Sequence, residues 1–207
     1  MTEAGAMTAE GQTDLSRRKF LTVALSATAG VGAVFTAVPF LATWAPSERV
    51  RAAGAPAKFD LSKLAPGQMA TIIWRKQPIY IVNRPPEITA KLAAHDASLK
   101  DPKSAESTQP DYARNEMRSV RDSLLVLIGT CTHLGCLPKQ RFEPGDAELG
   151  ADWPGGFYCP CHGSRFDLAG RVFNGSPASL NLRIPPYRVD GNLLTVGEDG
   201  GATQGAA

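Results

Sequence analysis

Hydrophobic and polar positions divide the chain into unlike parts. No charged residue occurs between Phe20 and Ser47, and a helix needs about 20 apolar residues to cross a bilayer. The run is built of Ala, Gly, Thr and Val more than Leu, and Pro39 is expected to kink or end the helix late in the span. Further on the period changes. The segments MATIIW (residues 69–74) and IYIV (residues 79–82), separated by RKQP, read as a β-hairpin. YRV and NLLTVG, flanking Asp190-Gly191, read as a second hairpin. SLLVLIG (residues 123–129) is the most apolar strand, and it delivers the chain to Cys131. Between Arg84 and Ser123 the text is led by Pro86, pairs Glu87 with Lys91 at helical spacing, and continues into polar DASLKDPKSAESTQPD, which predicts one helix and a long loop. The fold class is mainly β, antiparallel, with a helix-loop insertion.

At 207 residues and 43% hydrophobic content, the chain holds one globular domain with appendages. The net charge of +2 excludes a strongly basic nucleic-acid binder, so no nucleic-acid partner is expected. The expected divisions are a disordered cytoplasmic tail (1–15), an anchor (16–44), a hinge or tether rich in Pro, Gly and Ala (45–58), the globular domain (59–197, with site loops over 130–178) and a disordered Gly-rich tail (198–207).

SRRKFL (residues 16–21) ahead of a moderately apolar run has the form of a twin-arginine export signal. An ordinary secretory signal with a basic flank is the alternative. Arg17, Arg18 and Lys19 are expected to stay cytoplasmic, with everything after about Ala45 on the far side. The small-residue pattern Ala53-Gly54-Ala55 offers a cleavage site but lies well past the apolar run, so the segment is expected to remain as an anchor. Twin-arginine transport moves folded chains, which matters most when a cofactor is inserted before export.

All four cysteines and two of the three histidines fall in CTHLGC (residues 131–136) and CPCHGS (residues 159–164). Cys131, His133, Cys159 and His162 supply two thiolates and two imidazoles, with Cys136 and Cys161 left over. Zinc accepts such a set in a tetrahedral structural site. An exported domain is also where disulfides persist. Gly135 and Gly163 allow tight turns that aim backbone amides at the sulfurs. His95, in the insertion, reads as a surface residue, and Trp74 and Trp153 as packing.

The two boxes resemble the double signature of Rieske iron-sulfur proteins, which hold a 2Fe-2S cluster by two cysteines on one iron and two histidines on the other. The anchor, the tether, the hairpin WRKQPIYIVNR and the loop NGSPASLNLRIPPY (residues 174–187) extend the likeness to the iron-sulfur subunits of bacterial cytochrome bc complexes. The resemblance implies Cys131 and Cys159 on the inner iron of a small cluster-binding subdomain, His133 and His162 on the outer iron, and a Cys136–Cys161 disulfide. It further implies Leu134 as an apolar lid and Ser164 as a hydroxyl donor to a bridging sulfide.

Neutral imidazoles in place of thiolates put such clusters at roughly -150 to +300 mV, within reach of a quinol. The implied role is oxidation of ubiquinol, with His162 hydrogen-bonding the quinol hydroxyl and His133 as its exposed partner. Electrons would pass to a membrane-anchored cytochrome c beside cytochrome b, in a dimeric complex of the bacterial inner membrane with the head domain periplasmic. The competing reading is the Rieske subunit of a periplasmic molybdenum oxidoreductase such as arsenite oxidase. A Rieske ferredoxin of ring-hydroxylating oxygenases fits less well, lacking the export signal and the extra cysteine pair. Two departures from the family pattern stand out. Phe166 occupies a position where most high-potential members carry a tyrosine that donates to a ligand thiolate, which predicts a lower midpoint potential. Ser179 replaces a frequent proline.

Overall fold

The computed structural model describes residues 6–202, with side chains for residues 15–200 other than Ala53. It divides into a unit of residues 1–51 and a unit of residues 52–207. The first is dominated by α1 (Ala6–Ala42), which contains Pro39 and ends three residues beyond it. Its apolar part, Leu15–Ala42, has 28 residues and a mean hydropathy of 1.8, about 42 Å of helix at 1.5 Å per residue and long enough to cross a bilayer. The hydroxyls of Thr22, Ser26 and Thr28 donate to the carbonyls of Arg18, Thr22 and Ala24 at 2.8 Å. Those polar atoms are therefore satisfied within the helix, as an apolar medium requires.

Residues 6–15 are helical, where an unstructured tail is expected from their polarity; residues 1–5 and 203–207 lie outside the described residues. The expected tether is also partly helical, because α2 (Glu48–Ala53) forms within it. The Ser47 hydroxyl accepts from the Val50 amide, and Arg51 pairs with Glu48 at 3.0 Å.

Among the described residues, the second unit holds three small sheets. β1 (Ala57–Asp60), β8 (Tyr187–Asp190), β9 (Leu193–Val196) and β10 (Gly201–Ala202) run in the order β1-β9-β8-β10. β2 (Met69–Trp74), β3 (Gln77–Asn83) and β4 (Leu124–Ile128) form the second sheet, and β5 (Lys139–Arg141), β6 (Gly156–Cys159) and β7 (Ser164–Phe166) the third. All pairings are antiparallel except the short β8–β10 contact. The sheet framework thus starts two residues before the expected boundary at 59 and reaches past 197 through β10.

Both hairpins form, with tighter or shifted turns. Gln77 and Pro78 join β3, leaving Arg75 and Lys76 as the turn, both with positive φ (48° and 62°). This is the primed geometry that matches strand twist. The Arg75 guanidinium lies 4.7 Å from the Trp74 ring centroid, a cation–π contact that offsets part of the strain. In the second hairpin Asp190 pairs with Leu193, so the turn is Gly191-Asn192, one residue later than expected.

The insertion between β3 and β4 contains α3 (Pro86–Thr89) and 3-10 turns at Leu92–Ser98 and Asp111–Ala113. One longer helix is expected there; the chain instead takes shorter pieces, because its order comes from buried arginines. Arg84 donates to the carbonyls of Met117, Asp122, Leu124 and Leu168 and to the Ser119 hydroxyl. Arg118 donates to the carbonyls of Ala169, Gly170 and Leu182 and to Gln109. Arg171 pairs with Asp167 and Asp96, each at 2.7 Å, and reaches the Leu92 carbonyl. Fixed donors of this kind do for an irregular segment what ladder bonds do for a strand. Burial brings Arg84 and Arg118 down to about 10, so both remain charged at neutral pH.

Candidate metal centre

Each box sits at the end of a strand whose residues are fixed by the core. β4, buried along its whole length, runs into the first box, and the Gly129 amide is pinned to the Pro78 carbonyl at 2.8 Å. The second box is the turn between β6 and β7, with Cys159 paired to Ser164. The two boxes fold alike. The Gly135 amide donates to the Cys131 carbonyl at 3.0 Å, and the Gly163 amide to the Cys159 carbonyl at 2.9 Å. Both glycines have positive φ, 84° and 78°, a conformation in which a side chain is strained. At Gly156, one residue before the Phe157–Phe166 pair, an added Cβ would fall onto the Phe166 carbonyl, so only glycine lets the start of β6 lie against the end of β7.

These turns bring the expected residues together. Cys136 and Cys161 form a disulfide with Cα atoms 6.6 Å apart. Cys131 and Cys159 are free thiols, 3% and 2% exposed. The His133 and His162 rings meet edge to face with centroids 4.8 Å apart, His133 half-buried and His162 exposed. Burial pushes the Cys131 thiol up; the Cys159 sulfur beside it acts in the same direction, and the His133 amide and Ser164 hydroxyl oppose both. The sulfurs of Cys136, Cys159 and Cys161 lie within 4.8 Å of one another, but two of them are spent in the disulfide and hold no metal.

Ser164 is fully buried, and its oxygen accepts from the Ala178 amide at 3.1 Å. Its own proton is thereby left for the sulfur side. Residues 174–187 lie across both boxes: Thr132 donates to the Leu180 carbonyl at 2.6 Å, and Ser176 accepts from the Arg165 amide at 3.1 Å. Lys100, from the insertion, holds the same loop through the Ser176 and Ala178 carbonyls. Ser179 is exposed, so loss of the proline falls on the outer side of the loop. Leu134 is 71% exposed and borders an open cleft with Cys131, His133 and Leu180.

Phe166 is fully buried and has no hydroxyl to offer. Tyr80 stands near Cys159, and its phenol is raised by burial first and by that sulfur second. Its hydroxyl is committed to the Pro138 carbonyl at 3.0 Å, so it pins the chain just after the first box and does not replace the missing tyrosine donor. His95 is half-buried in the insertion, outside the two boxes, while Trp153 packs with its indole N–H on the Arg141 carbonyl at 2.9 Å. Lys100, Thr132 and the three buried arginines have no sequence signal of their own, because polar residues in a long loop read as solvated.

Two buried thiols behind two more exposed imidazoles are a donor set split by chemistry. Sulfur donors sit on the protein side and nitrogen donors toward solvent, which fits a 2Fe-2S group ligated unequally at its two irons. Residues 59–186 match the profile of the Rieske 2Fe-2S domain, and residues 7–47 that of the ubiquitinol-cytochrome C reductase Fe-S subunit TAT signal. Fold and site therefore define a Rieske iron-sulfur protein with an N-terminal apolar helix. A curated relative from Allochromatium vinosum, named ubiquinol-cytochrome c reductase iron-sulfur subunit, is 49% identical over 95% of each chain. Relatives of the same name from Bradyrhizobium diazoefficiens (42% identical, 84% of this chain and 89% of the relative) and Blastochloris viridis (39%, 92% and 98%) are also similar. The chain belongs to the family of ubiquinol-cytochrome c reductase iron-sulfur subunits.

Proposed function

We propose that this chain is the electron-accepting subunit of a ubiquinol-cytochrome c reductase, with Cys131, His133, Cys159 and His162 as the cluster ligands. The observation that carries the reading is the pair of imidazoles meeting at 4.8 Å over two buried thiols. When bound, the 2Fe-2S group supplies a one-electron acceptor at a potential suited to quinols. The chain's own residues do the rest. His162, exposed, accepts a hydrogen bond from the quinol hydroxyl and takes its proton. His133 offers the neighbouring edge. Leu134 and Leu137, 71% and 55% exposed, present an apolar rim to the quinone site of a partner. The disulfide and residues 174–187 keep water from the thiol side.

The electron then goes to a membrane-anchored cytochrome c, with cytochrome b supplying the rest of the quinol site, in a dimeric complex. α1 is the retained anchor in the bacterial inner membrane; Arg17, Arg18 and Lys19 stay cytoplasmic and the head domain is periplasmic. Residues 45–58 form the tether that lets the head move between donor and acceptor.

The test is complementation. In membranes lacking their own iron-sulfur subunit, this chain is expected to restore ubiquinol-driven reduction of cytochrome c. His162→Gln, present at equal level in the same membranes, is expected to restore none. Full activity with His162→Gln would overturn the role given to that residue, and no activity with the unaltered chain, loaded and assembled, would overturn the reading as a whole.

A further inference from the structure

The sulfur of Cys159 lies within 4.8 Å of both sulfurs of the Cys136–Cys161 disulfide, and the Cys159 thiol is free. A thiolate displaces one sulfur of a disulfide and releases the other, and three sulfurs held in one fold react without a bimolecular encounter. We propose that in the cluster-free chain Cys159 exchanges with this disulfide, so that the cluster has to be in place before the disulfide closes.

The step balances without an added oxidant. The Cys159 thiolate forms a bond to the Cys136 sulfur, the Cys136–Cys161 bond breaks, and its electron pair leaves on Cys161, which takes up the proton lost by Cys159. Cys136 is the sulfur attacked. Cys161 is two residues from Cys159 with Pro160 between them, and a bridge there would close a small, stiff ring. A Cys159–Cys136 bridge joins the same two loops that the native disulfide joins. The leaving Cys161 is exposed, so water stabilises its thiolate. The product retains a cross-link and has lost one of the four ligands, which makes it a closed, unloadable form.

The inference rests on the reading of Cys159 as a ligand, because iron bound to its sulfur is what removes the nucleophile. It also gives the export signal a physical purpose. In a reducing cytoplasm Cys136 and Cys161 stay reduced, the cluster enters a chain with no disulfide to exchange, and after export a dithiol oxidant of the oxidising compartment takes two electrons and two protons from the pair and closes the disulfide.

The test uses the full-length chain in detergent, loaded with its cluster or stripped anaerobically with an iron chelator and no reductant. Timed samples are acid-quenched, free thiols are alkylated, and disulfide-linked peptides are mapped by mass spectrometry. The loaded chain is expected to yield Cys136–Cys161 alone. The stripped chain is expected to convert in majority to Cys136–Cys159 with alkylated Cys161, at a rate independent of protein concentration and with a parallel loss of reconstitution by iron and sulfide. Cys131→Ser, once stripped, is expected to exchange as the unaltered chain does, and Cys159→Ser to retain the native pair. A stripped chain that holds Cys136–Cys161 throughout, or a rate rising in proportion to concentration, overturns the proposal. Equal exchange in the loaded chain overturns both the order of assembly and the assignment of Cys159 as a ligand.

Discussion

Ser164→Ala removes one fully buried hydroxyl, and its effect can be worked from the geometry. The oxygen accepts from the Ala178 amide at 3.1 Å, and the hydroxyl opposes the rise of the Cys131 thiol, as a donor to sulfur does. A hydrogen bond to a charged group contributes about 1.5–3 kcal/mol. The reduced cluster is the more negative, so the donor stabilises it more than the oxidised form. If half the bond strength is felt differentially, about 0.75–1.5 kcal/mol, the midpoint falls by roughly 30–65 mV, since about 1.4 kcal/mol corresponds to 59 mV for one electron. The stranded Ala178 amide costs a further ~1–3 kcal/mol of stability. Protein-film voltammetry reads the first effect and calorimetry the second. A lowered Tm with an unchanged midpoint would refute the reasoning, and would leave Ser164 as a fastener of the 174–187 loop alone.

Phe166→Tyr is expected to raise the midpoint by roughly 40 mV, the equivalent of about 1 kcal/mol of added donation to a ligand sulfur; an unchanged or lowered value in the same voltammetry refutes that role for the position. Arg84→Met leaves four carbonyls without their donor; with each stranded buried acceptor costing about 1–3 kcal/mol, it is expected to cost at least about 3 kcal/mol in denaturant unfolding, with Arg84→Lys recovering little because an ammonium cannot span the same acceptors. A loss under about 1 kcal/mol would show that the cation is dispensable. Burial holds the Tyr187 phenol up at about 12 against an ordinary 10.0, with its oxygen accepting from the Val120 amide. The raised folded value means that its contribution is complete below pH 10.0 and is lost as the pH approaches about 12. The stability difference between the unaltered chain and Tyr187→Phe is therefore expected to be constant below that window and to shrink within it; a difference that grows instead has the wrong sign.

The grouping of the candidate residues was legible because their chemistry is concentrated in residue types that do little else. Four cysteines and two histidines in two short boxes name the ligand candidates, and Gly135 and Gly163 mark the turns that present them. Both hairpins were readable from alternation and turn residues. Their turns were misplaced because Gln77, Pro78 and Asp190 can each sit at a strand end, and only cross-strand pairing decides. The insertion was the least legible part. Arg84, Arg118 and Arg171 are buried donors to backbone carbonyls, and nothing in their local sequence distinguishes them from solvated arginines. The same holds for Lys100, whose partners lie more than seventy residues away. Helix in residues 6–15 was missed because the segment lacks the apolar period by which helices are found.

The most direct test of the account is an EPR-monitored redox titration of the purified, loaded protein across pH. A rhombic 2Fe-2S signal is expected, appearing with one electron at a positive midpoint that falls at alkaline pH. No reducible signal, together with zinc by elemental analysis, would contradict it.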